Sequence, residues 1–270
     1  MKKIIIALTI NFVCLNFSFG QCCGDVEMYD IFTPMGEPVK TFLMIHDDDI
    51  YFREAIDDIW TSSYPNAEKI LVYDSLSSTR RFNCHGYAWL RIEQGISRWI
   101  GYYEDNRDPD MYMWDESYIL ASSEVFPAKV FWDRPNGDHT AITTEELGWF
   151  ISKWNIFPLF RHRWDDSPYG TNFKYFVRNC FYLAGETIHI TNRVITSYTP
   201  IKSCGDFIVE DVTIENIGND DTTLILIAEG DIYVQNVTVT SGTRLVLDAG
   251  GEVIVGENVD VQSGADFEIK

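Results

Sequence analysis

Basic residues are scarce in this 270-residue chain: 21 Lys and Arg stand against 41 Asp and Glu, a formal charge of −20. A surface this acidic repels nucleic acid and anionic lipid at long range, so neither is expected as a partner. Long apolar runs are missing beyond the first twenty residues, and nothing downstream is expected to span a bilayer. Metal-binding spacings are missing too. There is no C-x-x-C and no H-E-x-x-H, and Asp47-Asp48-Asp49 lacks the alternating ligands and the glycine of an EF-hand loop. No metal and no other cofactor is expected. From about Gly185 onward tryptophan is absent, although the whole chain is 14% aromatic. The text there turns to alternating β-branched residues punctuated by Gly, Asn and Asp, which reads as strand.

The first twenty residues, MKKIIIALTINFVCLNFSFG, set two lysines before a short apolar run and finish in small residues. That is the layout of a secretory signal peptide over residues 1–20, with cleavage expected between Gly20 and Gln21. Cys22 follows Gln21 rather than a small residue, which argues against a lipid anchor. The mature protein is expected to be exported and soluble, either secreted or at the cell surface. Export permits disulfides. Cys22, Cys23, Cys84, Cys180 and Cys204 remain, an odd number, so one thiol is left over if the others pair. Cys180 and Cys204 flank the start of the strand-rich region and could bridge it. Cys84, inside a patterned aromatic segment, is the best candidate for the unpaired thiol.

Two regions follow from the change of texture: residues 21–180, mixed helix and strand, and residues 185–270, all strand. The second region repeats. Ile232, Val234, Val237, Val239, Ser241, Gly242, Leu245 and Leu247 recur as Val253, Val255, Val259, Val261, Ser263, Gly264, Phe267 and Ile269. Ile232 to Val253 is a step of 21, and Val237 to Val259 one of 22. A fainter copy runs through Phe207, Val209, Val212, Ile214, Leu224 and Leu226. Because the Ser-Gly turn recurs in register with the apolar positions, stacked coils of a short parallel β-helix are favoured over an antiparallel sandwich. Nothing in this region looks catalytic. It reads as a spacer, binding or export module that could hold the protein at a cell surface.

In the first region, HDDDIYFREAIDDIW carries Ile50, Phe52, Ala55, Ile56, Ile59 and Trp60 at helix spacing behind an acidic start, so a capped amphipathic helix is expected. A second helix is expected from Cys84 to Gly95, with Tyr87, Ala88, Trp89 and Ile92 as its apolar positions. Cys84 would then stand near a helix N-terminus, where amides and the helix dipole favour a thiolate. Downstream, FPAKVFWDRPNGDHTAIT reads as strand Ala128–Trp132, a Pro-Asn-Gly turn, and a second strand opening at His139. A histidine so placed could serve as general base to the thiol. The alternative reading is a surface turn residue, because spacing alone does not bring the two together. Cys84, His85, His139 and His162 could in principle surround zinc, but neighbours on a helix point about 100° apart, which disfavours that reading.

The order of these motifs resembles a known superfamily. Asn83-Cys84-His85-Gly86 with Tyr87, Trp89 and Gly95 is similar to the D-C-S-G nucleophile helix of NlpC-type cell-wall peptidases, papain-like enzymes grouped with the CHAP amidases. Ala128–Trp132 and His139-Thr140-Ala141-Ile142 are similar to that superfamily's strand and histidine strand. The stretch from Tyr64 to His162 also resembles secreted bacterial proteins with NCHSYAW-type motifs. The resemblance implies an α+β, papain-like first region with a helix packed on an antiparallel sheet. It also implies a thiol peptidase or amidase acting on peptide or peptidoglycan-type substrates, with Cys84 as nucleophile and His139 as base. Asn83 and His85 depart from the superfamily's aspartate and serine. The third, orienting residue would come from Gly148–Asn155, where Asn155 and Ser152 both qualify. The competing expectation is a non-catalytic, surface-attached binding or structural protein.

Overall fold

The computed structural model describes residues 26–101, 109–134, 138–218 and 221–270. The expected signal peptide, Cys22, Cys23 and the Pro135-Asn136-Gly137 turn lie outside the described residues. Strands β1 (Val26–Phe32), β2 (Pro38–Met44), β3 (Glu68–Ile70), β4 (Trp99–Ile100) and β5 (Tyr118–Ala121) are followed by β6 (Lys129–Trp132), β7 (His139–Thr143), β8 (Trp149–Lys153), β9 (Leu159–Arg163) and β10 (Lys174–Arg178). The hairpin β1–β2 is extended by β4. The rest form a seven-stranded antiparallel sheet in the order β3-β9-β8-β7-β6-β10-β5.

The papain-like, α+β expectation is overturned here. Of the described residues 44% are strand and 12% helix, and no papain-like helix-on-sheet domain is present. The segment after Cys84 is helical, as its spacing predicts, running without a break from Cys84 to Gln94, but its surroundings differ from the expected ones. Tyr87, Ala88, Trp89 and Leu90 are all fully buried in succession, so the chain is enclosed on every side rather than laid on a sheet by one face. It forms a π-helical turn, Gly86–Arg91, and a three-residue helix (Ile92–Gln94) that stops at Gly95 in the left-handed conformation. A Cβ on Gly86 would lie 1.8 Å from the Arg98 carbonyl oxygen, so only glycine fits where this turn meets the next loop.

The long helix α1 (Ile50–Ser63) does form, and the Asp49 side chain caps it by accepting from the Tyr51 amide. Its buried face differs from the expected one. Arg53 and Asp57 are inside, while Ile50, Phe52 and Ile59 are exposed. Arg53 donates to the carbonyls of Ser78 and Tyr73 and to Asp74. Asp57 accepts from the amides of Ser77 and Ser78 and from the Ser78 hydroxyl. The loop that precedes Cys84 needs donors and acceptors for its buried backbone, and polar side chains one helical turn apart supply them.

Beyond Arg178 the chain becomes a β-solenoid of about four turns. Strands β11 (Thr187–Ile195), β13 (Asp206–Ile214), β15 (Ile232–Val239), β17 (Val253–Val255) and β18 (Asp260–Val261) build one parallel face. Strands β12 (Thr199–Ser203), β14 (Thr222–Ala228), β16 (Thr243–Ala249) and β19 (Asp266–Ile269) build the other. The repeat read from the sequence is the pairing register: Ile232 faces Val253, Val239 faces Val261, and Leu245 faces Phe267. Val209, Val234, Leu226 and Leu247 fill the interior. Asn192, Asp211, Asn236 and Asn258 all adopt positive φ at the same corner of successive coils, and Asn258 donates its side-chain amide to Asn236 at 3.0 Å. Short polar side chains tolerate that left-handed kink best after glycine. Cys180 and Cys204 form a disulfide across 24 residues, worth roughly 3 kcal/mol by loop closure, and Cys84 is free and buried. Trp89, Tyr112 and Tyr118 join Ile190 and Ile201 of the first coil in one apolar core.

Candidate functional site

Cys84 is held by the loop that α1 clamps. Asp47 accepts from the Thr79 hydroxyl and the Arg80 amide, fixing the chain just upstream. Asn83 then takes a capping role: its carbonyl oxygen accepts from the Gly86 amide at 2.8 Å, and its amide donates to Ile100 of β4. Between these anchors the Cys84 side chain has no freedom to swing out. It is 7% exposed, and burial pushes the thiol up to about 11. The amides of Thr140, His85 and Cys84 itself, and the charge of Lys153, offset only part of that. At neutral pH the group is a protonated thiol.

Strand alternation decides what faces it. Thr140 turns toward the Cys84 side, where its hydroxyl bonds His85 Nδ1 at 2.6 Å. His139, one residue earlier on β7, therefore belongs to the opposite face. There it is paired with Trp132 across the ladder and stacked on Tyr169 with ring centroids 3.4 Å apart. Its Nε2 has no hydrogen-bond partner among the described residues, and the ring is fully buried. Burial holds it well below the usual imidazole range, helped by the nearby His85, His162 and Arg134. The structure thus brings His85 and Thr140 to Cys84, and it does not join Cys84 to His139 by a hydrogen bond.

The third-residue candidates also have other partners. Ser152 bonds His162 Nε2 at 2.8 Å and accepts from the Trp154 indole at 2.8 Å. Asn155 sits at φ 63° in the turn after β8, and its backbone oxygen accepts from Lys153 Nζ at 2.7 Å. Neither is hydrogen-bonded to His139. His162 is lowered to about 4 by burial, and His85 is lowered to about 4 for the same reason, so both are neutral near pH 7.

Lys153, at the end of β8, also acts on Cys84 through its charge. It is fully buried, donates also to the Phe157 carbonyl, and burial brings its ammonium down to about 7 against the offsetting charges of Asp47, Asp57 and Cys84. No sequence pattern signals it, because a lysine at the end of a strand normally reaches solvent. Chemically, the assembly is a protonated thiol facing the amides of Thr140 and His85, beside a lysine that also satisfies two turn carbonyls. Comparisons with protein-family models, curated proteins and solved structures find no match for this chain.

Proposed function

We propose that the protein is a non-catalytic binding or structural protein, exported and held at a cell surface, in which the β-solenoid and the N-terminal sheet region form one scaffold. The observation that carries this reading is the state of Cys84. Its thiol is buried, raised to about 11 and unpaired with His139, whereas a nucleophilic cysteine needs a depressed pKa and a base within hydrogen-bond reach. The test is turnover of peptidoglycan-derived peptides by the full chain and by Cys84→Ala. Identical behaviour of the two is expected. Turnover by the parent chain that disappears in Cys84→Ala would contradict the reading.

One observation favours a second reading, a thiol hydrolase of peptide or peptidoglycan-type amides. Lys153, near 7, is a buried amine close enough to Cys84 for their charges to interact, and it could take the thiol proton. That transfer, from a group near 11 to one near 7, runs uphill, which ranks this reading second.

A further inference from the structure

A cleft of about 480 Å³ opens between the N-terminal region and the first coil of the solenoid. Its walls come from the β1–β2 turn, the helix around Trp89 and Glu93, Tyr112, and β11 with Arg193. Its charges divide into two groups. Glu93 is spoken for by Lys129 at 2.5 Å and Arg178 at 2.9 Å, and Arg178 also forks onto Glu186. Arg193, by contrast, makes no hydrogen bond or ion pair among the described residues. It is half-buried, and its guanidinium packs over Gly95, where a Cβ would stand only 3.0 Å from Nη1. Burial and the nearby Arg91 bring it down to about 10, and the charge of Glu93 offsets only part of that. Two further polar groups on cleft-lining residues have no hydrogen-bond partner among the described residues: the Trp89 indole nitrogen and the Tyr112 hydroxyl, both buried.

We infer that this cleft binds a small monocarboxylate with a ring or apolar body, its carboxylate on Arg193 and its body against the wall that Phe32, Ile96 and Ile188 form. A guanidinium recognises a carboxylate by paired, charge-assisted hydrogen bonds. Among the described residues only one cation of the cleft is uncommitted, and Glu93 and Glu186 stand in the same walls, so a dianion such as phosphate is disfavoured. The volume lies within the range of small-molecule sites, and aromatic walls with a few placed donors are their usual make-up. The cleft inference deepens, and rests on, the binding reading above, but it does not depend on the state of Cys84.

The test is calorimetric titration of the full chain with benzoate and glucuronate, alongside their neutral counterparts benzamide and glucose. At least one acid is expected to bind in the millimolar range or tighter. Its neutral counterpart should bind at least roughly tenfold more weakly, and Arg193→Gln should weaken the acid by a similar factor. Arg193→Lys should retain part of the affinity. Arg244→Gln, which removes a solenoid arginine paired with Glu145 and Glu268 away from the cleft, should change nothing. Thermal melts check that each variant folds. The two acids separate an aromatic body from a sugar body. Absence of binding by both acids would overturn the inference, as would undiminished binding by Arg193→Gln or equal binding of the neutral partner. Failure here with Cys84-independent behaviour intact leaves the non-catalytic reading standing. Carboxylate binding together with Cys84-dependent turnover would overturn that reading and not the cleft.

Discussion

At the scale of single residues, two buried neutral histidines make the fold sensitive to acid above the carboxylate range. His85 and His162 are both lowered by burial from 6.5 to about 4. Between those values the unfolded chain binds more protons than the folded one, so stability is fully present above pH 6.5 and is lost as pH falls toward 4. The two together should remove about 4 kcal/mol between pH 7 and pH 5. His139, lowered in the same direction, can only add to the loss. Urea unfolding at the two pH values measures it, and His162→Gln should remove part of the difference. An unfolding free energy that is flat over this window would show that the imidazoles are not held neutral. Glu93 acts later in the titration. Burial tends to raise it, but Lys129 and Arg178 more than offset this and hold it below the usual carboxylate range, so its contribution is lost only at lower pH.

At the scale of elements, α1 is anchored by Arg53, Asp57 and Trp60 rather than by Ile50, Phe52 and Ile59. Asp57→Ala should cost about 3 kcal/mol, because it strands two loop amides and the Ser78 hydroxyl. Ile59→Lys, on the exposed face, should leave the melting temperature nearly unchanged. A larger loss from Ile59→Lys than from Asp57→Ala would mean that the apolar face is the buried one after all. These elements also mark where sequence legibility ends. Solenoid coils were readable because each strand pairs with the copy one coil on, so Ile232 and Val253 recur in sequence for the same reason that they touch in space. The Cys180–Cys204 bridge stood only as one possible pairing, suggested by its place at a change of texture, and it is the one that forms among the described residues. The face of α1 was not, since spacing reports apolar periodicity and Arg53 and Asp57 are buried for their hydrogen bonds. His139 does open a strand, as read, but what its ring meets was not legible, because strand alternation sets its face only once the neighbouring elements are known, and here it stacks on Tyr169. The helix from Cys84 to Gly95 was readable and does form, but its Tyr87–Leu90 stretch is enclosed on every side, and the papain-like fold expected around it gives way to a mostly stranded one.

At the scale of the whole molecule, the two sequence regions share one core, and polar ties cross the same seam. Arg178 links Glu93 of the helical segment to Glu186 at the entrance of the solenoid, and the disulfide closes the chain beside it. Breaking into the Cys84 enclosure therefore requires opening a structure joined from end to end. Alkylation of Cys84 by iodoacetamide, in a Cys22→Ser and Cys23→Ser background and across pH and urea concentration, is the most direct measurement of this account. Without denaturant the folded chain should stay unlabelled up to mildly alkaline pH, and labelling should rise with urea in step with global unfolding. Rapid labelling of the folded chain below pH 7 would contradict the account, because it would reveal an accessible thiolate at Cys84.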